Sequence, residues 1–188
     1  MSTLRLVVSR PTAASYGLKG QSEHPCLVAF CGEFDYLLRS LRRLGVHRDD
    51  AEDVAHEVFL VLYQSWEKYD PTRPIRPYLF GIAFRVANNH LRKRKKEIPY
   101  PYLEVAAAGD RPDQLIEAGQ RRALVLKALA RISIHKRAVL IMHDIDGLRM
   151  AEIAAALSIY RFTGYSRLRK ARKEFADAVR ALSREGAG

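Results

Sequence analysis

Apolar residues recur three and four positions apart from Cys26 onward, which is the spacing of one face of an α-helix. The first such segment predicts a helix that ends at Gly45. A second begins near Asp49 or Asp50, one of which is expected to cap it, with Glu52 and Asp53 in its acidic first turn. The predicted apolar positions of the two helices are Phe30, Phe34, Leu37, Leu38, Leu41 and Leu44, then Ala51, Val54, Ala55, Val58, Phe59 and Leu62.

A proline-rich stretch at residues 69–77 separates these helices from a third. Prolines fix φ and interrupt a helix, so the three prolines predict a stiffened loop. The third helix should bury Leu79, Ile82, Ala83 and Val86 and ends in the basic run 92–96. Aromatic residues beside the loop, together with Arg and Asn on the helix, suit unstacked bases, although core packing is the simpler explanation for each ring.

Residues 98–114 contain three prolines and a glycine and predict a flexible linker. We therefore expect an all-α protein of two small helical domains, residues 26–97 and 115–183. A flexible N-terminal extension (1–25) and a short tail (184–188) flank them.

The second domain begins with helical patterns at residues 115–130 and 135–145. Gly147 precedes a short predicted helix at 150–157, and a break at 158–160 leads into a longer basic helix. A short helix, a turn and a basic helix form the layout of a helix-turn-helix, whose second helix enters the major groove of DNA.

The net charge of +11 favours a polyanionic partner such as nucleic acid or an anionic membrane surface. Cys26 and Cys31 lie in no paired ligand pattern and the six histidines are scattered, so neither a disulfide framework nor a metal site is expected. No apolar run approaches the ~20 residues of a membrane span, and no secretory segment is evident. These features predict a cytoplasmic protein that needs no cofactor.

No residue pattern indicates catalysis. The chain has no glycine-rich phosphate loop, no His-Glu metal motif and no nucleophile elbow. Its acidic residues cluster at one helix start instead of facing each other across a cleft, so we expect a binding protein and not an enzyme.

Both predicted domains resemble one family. The run from Asp50 to Phe59, with Trp66, Asp70-Pro71 and residues 76–83 and 89–94, resembles region 2 of bacterial sigma factors. Residues 138–172 resemble region 4. The similarity is to the extracytoplasmic-function (ECF, group 4) type of the sigma-70 family, which keeps only these two regions.

The resemblance implies a factor that binds the β′ and β subunits of core RNA polymerase, recognises promoter DNA at −10 and −35, and helps to melt it. Relatives are often held inactive by an anti-sigma factor. The implied polymerase contacts are Asp50, Asp53, His56 and Glu57. The implied −10 contacts are Tyr69, Asp70, Arg76, Tyr78, Arg85, Asn88, Asn89 and Arg92. The candidate −35 contacts are Thr163, Tyr165, Ser166, Arg167, Arg169 and Lys170.

The helix-turn-helix departs from the family pattern. Relatives carry a glycine where Ser158 stands, and glycine adopts left-handed geometry more easily than serine. Gly164 should cost the second helix about 1 kcal/mol relative to alanine. Ile132-Ser133 replaces a Leu-Pro pair. We therefore hypothesise that −35 binding is altered or weakened while the domain still folds.

Two other functions fit the same features less well. A sigma-like DNA-binding regulator would lack initiation activity, and a helical adaptor would bind RNA or anionic surfaces without affinity for polymerase.

Overall fold

The computed structural model describes residues 24–97 and 114–185, and these ranges contain helices and no strand, which confirms the all-α class. The predicted N-terminal extension and linker fall almost wholly outside them. The α-helices are α1 (Pro25–Gly32), α2 (Phe34–Leu44), α3 (Ala51–Gln64), α4 (Ile75–Glu97), α5 (Gln114–Ala130), α6 (Ile134–Leu140), α7 (Met150–Leu157) and α8 (Arg161–Glu185).

The first predicted helix is in fact two, so the prediction of one continuous helix is wrong. Glu33 leaves helical geometry (φ −107°, ψ 9°), and its backbone N–H donates to the carbonyls of Ala29 and Phe30, which closes α1. The neighbouring Gly32 weakens the helix at this point, because glycine has the highest backbone entropy to lose. The predicted end of α2 is confirmed, since Gly45 adopts φ 101°.

Helices α1–α4 form an N-terminal bundle around a phenylalanine-rich core. The rings of Phe30 and Phe59 lie 5.0 Å apart, and both side chains are fully buried with Phe80. The predicted apolar positions of α3 and α4 are all buried, and on α2 only Leu38 is half-buried. Burial also raises the pKa of the Cys26 thiol to about 11, so this cysteine acts as a small core residue.

Helices α5–α8 form a C-terminal domain in which α7 and α8 are the predicted helix-turn-helix. Ser158 ends α7 in the left-handed conformation (φ 54°, ψ 49°), so the turn forms without a glycine. Gly164 is buried, and a Cβ there would lie 2.4 Å from Met150 Sδ. The glycine therefore lets α8 approach α7 closely, a packing role that offsets its low helix propensity.

The two domains also share one core, an arrangement that the sequence did not predict. Helix α4 packs on α7 so closely that a Cβ on Gly81 would lie 2.4 Å from the carbonyl oxygen of Ala156. Tyr36 Oη in α2 donates a 2.7 Å hydrogen bond to Asp146 Oδ2 in the C-terminal domain. Burial and this bond raise the pKa of Tyr36.

Arg137 of α6 is the buried polar centre of this interface. Its guanidinium donates to the carbonyl of Leu44 at 2.5 Å and to those of Ala130 and Ile132 at 3.0 and 2.8 Å. Burial lowers its pKa to about 10, while Nε has no partner among the described residues. One side chain thus joins the end of α2 to the loop between α5 and α6.

Candidate functional site

The acidic face of α3 is exposed because the opposite face is buried in the N-terminal bundle. Asp53, His56 and Glu57 point to solvent, while Val54 and Val58 lie in the core. Residues three and four apart share one face of a helix, so the three predicted polymerase contacts form one stripe. Neither Asp53 nor Glu57 forms an ion pair within residues 24–97 and 114–185.

Asp50, the fourth predicted polymerase contact, is engaged within the bundle. It occupies the N-cap position of α3, as predicted, but its side chain makes no cap hydrogen bond. Its carboxylate instead accepts a 2.5 Å hydrogen bond from Arg94 Nη1 and lies 3.2 Å from His90 Nε2. Asp50 therefore ties the start of α3 to the end of α4.

Two apolar residues extend the α3 stripe and were missed by the sequence analysis. Leu60 and Val61 are exposed one turn beyond Glu57. The signal was the run of five apolar residues at 58–62, because a helix that buries one face cannot cover every residue of such a run. The exposed stripe is therefore acidic at its first turns and apolar at its last.

Three aromatic rings pack against one another where the loop after α3 meets α4. The ring centroids of Trp66 and Tyr69 lie 5.1 Å apart, and those of Tyr69 and Tyr78 lie 5.3 Å apart. Tyr69 Oη donates to the carbonyl of Arg73 at 2.5 Å, and Tyr78 Oη donates to that of Ser65 at 3.2 Å. The two predicted tyrosines are thus brought together and held at both ring and hydroxyl.

Asp70 organises the loop through its own carboxylate. Oδ1 accepts from the backbone N–H and the hydroxyl of Thr72, at 3.0 and 2.7 Å, and Oδ2 lies 3.2 Å from Arg73 Nε. The bonds from Thr72 hold the pKa of Asp70 below its usual range. The carboxylate stabilises the turn, so it is less free to contact DNA than the sequence analysis expected.

Arg76, another predicted −10 contact, points back toward the first two helices. Its Nε donates to Glu33 Oε2 at 2.8 Å, and its guanidinium carbon lies 5.1 Å from the ring centroid of Tyr36. The bond to Glu33 raises the pKa of Arg76. Arg76 therefore anchors the start of α4 to Glu33, the residue between α1 and α2.

The remaining −10 candidates lie along α4. Arg85, Asn89 and Arg92 are exposed and Asn88 is half-buried. Positions 78, 85 and 92 are seven residues apart and share a face, so Tyr78 and the two arginines form a strip roughly 21 Å long, with the ring of Tyr69 beside that of Tyr78. This strip combines aromatic, amide and guanidinium groups.

The −35 candidates occupy the first three turns of α8. Tyr165, Arg169 and Lys170 are exposed, whereas Thr163, Ser166 and Arg167 are half-buried. Arg169 and Lys170 form no ion pair with another described residue. By contrast, Arg172 binds Asp144 through two hydrogen bonds of 2.9 and 2.6 Å, and these lower the pKa of Asp144.

Sequence analysis missed the most exposed aromatic residues of the described chain. Tyr160 and Phe162, on either side of the start of α8, are 87% and 85% exposed. The signal was an aromatic pair at a turn that is already polar and basic, where no core position is available.

The described residues contain neither a candidate metal site nor a helix that could span a membrane. No group of three or more His, Cys, Asp or Glu side chains there could hold a metal ion. None of the helices in residues 24–97 and 114–185 is both long enough and apolar enough to cross a membrane.

Two family matches cover both domains. Residues 35–97 match Sigma-70 region 2 and residues 122–175 match Sigma-70, region 4. Together they take in more than half of the chain, from the start of α2 to α4 and from α5 into α8.

Similarity to individual proteins leads to the same group. The ECF RNA polymerase sigma factor SigE of Mycolicibacterium smegmatis is 28% identical over 157 residues, which cover 81% of this chain but only 61% of SigE. The RNA polymerase sigma factor CnrH of Cupriavidus metallidurans is 26% identical over 157 residues, or 78% of this chain and 82% of CnrH.

A solved structure shares the fold. The sigma factor RpoE of Bartonella quintana, in complex with the anti-sigma factor NepR, matches 80% of this chain and 96% of its own with a TM-score of 0.61 at 21% identity.

Proposed function

We propose how the surfaces of this chain carry out promoter-specific transcription initiation. The chain belongs to the sigma-70 family and is a sigma factor of the ECF type. Residues 26–97 would act as the region 2 domain and residues 115–183 as the region 4 domain. The exposed acidic stripe of α3 docks on core RNA polymerase. The strip of tyrosines and arginines on the loop and α4 binds the −10 element, and α8 binds the −35 element.

The observation that carries this proposal is the exposed acidic stripe of α3. Asp53 and Glu57 are exposed on α3, and Leu60 continues their stripe with apolar surface. Charged groups give such an interface its specificity and on-rate, and a buried apolar residue adds affinity. Asp50 holds α3 against α4 from within, so it supports the stripe and need not contact the partner.

At −10, the adjacent rings of Tyr69 and Tyr78 supply an aromatic surface for an unpaired base. Unstacking a base costs a few kcal/mol, which contacts in a prepared pocket must offset. Asp70 and Arg76 prepare that pocket through their bonds to Thr72 and Glu33. Arg85, Asn89 and Arg92 continue from it along α4 and offer donors to phosphates and base edges.

The protein performs no chemical reaction in this proposal and acts in the bacterial cytoplasm as a subunit of holoenzyme. An anti-sigma factor is a further proposed partner. The complex of RpoE with NepR supports this, because RpoE and this chain share a fold. A segment that covered the acidic stripe of α3 would compete with polymerase.

Run-off transcription with purified core polymerase on a promoter library tests the function. We expect promoter-dependent transcripts and, from their sequences, the −10 and −35 elements. A protein that binds DNA but yields no transcript with core polymerase would instead be a sigma-like regulator.

The charge reversal Asp53→Lys tests the polymerase surface. We expect it to abolish core binding in a pull-down or fluorescence titration while the helical circular dichroism spectrum stays unchanged, because Asp53 is exposed. The matched control is Asp177→Lys on α8, whose exposed pair with Arg180 contributes little stability. Normal core binding by Asp53→Lys would contradict the assignment of α3.

A further inference from the structure

Three aromatic side chains cluster at the start of α8, the second helix of the helix-turn-helix. Tyr160 and Phe162 are almost fully exposed and Tyr165 is 59% exposed. Single exposed apolar residues are common, but three exposed large rings within six positions indicate a binding surface, here called the aromatic patch. Within the described residues none of the three rings packs in the core.

The packing of α8 determines that Phe162 faces outward. Gly164 and Leu168 are buried against the rest of the domain, and Gly164 lies beneath Met150. Phe162, Tyr165 and Arg169 follow each other at intervals of three and four, so they form one outward stripe. The first turns of the second helix are the part of a helix-turn-helix that reaches base edges in the major groove.

The charge around the patch favours DNA as its occupant. Between residues 161 and 173 the sequence contains six arginines and lysines and no Asp or Glu. Arg169 and Lys170 have no ion-pair partner among the described residues, so they are available for phosphates. A groove that accepts α8 between two phosphate backbones would place Phe162 against base edges.

A phenyl ring has no hydrogen-bond donor or acceptor, which limits what it can recognise there. The one apolar group that a base pair presents in the major groove is the C5-methyl of thymine. Building on the proposed function, we infer that Phe162 recognises the −35 element by contact with a thymine methyl, with Tyr165 extending the apolar surface. The departure from the family pattern in this turn thus changes the chemistry of recognition, and α8 remains able to bind.

Replacing thymine by deoxyuridine tests this inference, because it removes the methyl and keeps every hydrogen-bonding group. Holoenzyme formed with the full chain is titrated against a promoter obtained from the run-off library, with each −35 thymine replaced in turn. We expect one replacement to weaken binding about fourfold, the effect of exposing one methyl-sized group. The Phe162→Ala holoenzyme should bind the thymine promoter about fourfold more weakly and should not distinguish it from the deoxyuridine promoter.

Arg169→Ala is the matched control on the same stripe. Arginine contacts phosphates or hydrogen-bonding edges, so this variant should lose affinity equally for both promoters and keep the preference for thymine. Phe162→Leu, which keeps an apolar side chain, should retain part of the preference. Both substituted positions are exposed, so the domain should keep its helical circular dichroism and thermal midpoint.

Three results would overturn the inference alone while transcription stays promoter-dependent. They are a wild-type holoenzyme indifferent to every replacement, a Phe162→Ala variant that keeps the discrimination, and a selected −35 element without thymine. Absence of any promoter-dependent transcript would contradict the proposed function and the inference together.

Discussion

The loop before α4 and the start of α8 both carry aromatic and basic side chains, but they hold them in different ways. In the loop and the first turn of α4, Asp70, Arg76 and both tyrosines are bound to neighbouring groups. At the start of α8 the aromatic rings are exposed on a helix whose other face is buried. The side chains of Arg169 and Lys170 have no ion-pair partner among the described residues.

The difference fits the two forms of DNA that we propose for these regions. A single flipped base has to enter a pocket whose shape already exists, since ordering a mobile loop at that moment would reduce affinity. A duplex presents a groove of regular width, and a rigid helix with projecting side chains suffices for it. The specificity of the loop before α4 therefore depends on its internal hydrogen bonds, and that of α8 depends on its exposed side chains.

The largest expected effect comes from breaking the buried polar contact that Arg137 makes between the two domains. Arg137→Ala removes the side-chain donor of three carbonyls, two of them in buried bonds, and we expect the free energy of unfolding to fall by about 3 kcal/mol in urea titrations. Arg131→Ala is the control, because Arg131 makes only an exposed pair with Glu185 and should change stability by less than ~0.5 kcal/mol. Equal stability of the two variants would show that the shared core does not depend on Arg137.

The second prediction loosens the loop without touching α8. Asp70→Ala removes the acceptor for Thr72, so the adjacent tyrosine rings lose their fixed positions, and we expect promoter opening to fall about tenfold. Permanganate reactivity of unpaired thymines measures the open complex. Asp70→Asn keeps the Oδ1 acceptor and should retain most activity; loss of activity in both variants would instead indicate direct DNA contact by the carboxylate.

The third prediction concerns the turn that orients α8. Ser158 holds a left-handed conformation that costs a non-glycine residue about 1 kcal/mol. Ser158→Gly should therefore raise the free energy of unfolding by about 1 kcal/mol, measured by thermal or urea denaturation, and leave −35 binding unchanged. Ser158→Ala should give no gain, because alanine meets the same barrier; a gain from alanine would contradict the assigned strain.

The smallest effect is the pH dependence of the bond that fixes the middle of α8. Hydrogen bonds from Arg172 hold the pKa of Asp144 below its ordinary value of 3.8. The folded state thus gains stability above about pH 4, and that gain disappears as the pH falls through the lowered pKa. Asp144→Asn should be less stable than the wild type by under ~1 kcal/mol at pH 7, because the pair is partly exposed, and the difference should vanish in acid.

Asp146→Asn should show the opposite dependence of stability on pH. Burial raises the pKa of Asp146, so its charge is less favourable in the folded state than in the unfolded one. The free energy of unfolding of Asp146→Asn relative to the wild type should therefore fall as the pH falls, whereas that of Asp144→Asn should rise. Parallel pH profiles for the two variants would contradict both assignments.

Periodicity in the sequence was enough to predict the helices and most of the core. The stripes of α3 and α4, the end of α2 at Gly45 and the bounds of α7 follow from local spacing and from glycine geometry, which depend on residues a few positions apart. The acidic stripe of α3 was predictable for the same reason, because burying Val54 and Val58 turns Asp53 and Glu57 outward.

Tertiary contacts decided what the chemistry-bearing side chains actually do. Arg137 and Leu44 are far apart in sequence, as are Arg94 and Asp50, and no local pattern pairs them. The break at Glu33, the inward direction of Arg76 and the outward direction of Phe162 likewise depend on which faces are covered by other helices. A sequence specifies the helices through neighbouring residues, but which polar groups remain free for a partner is decided only when the helices pack.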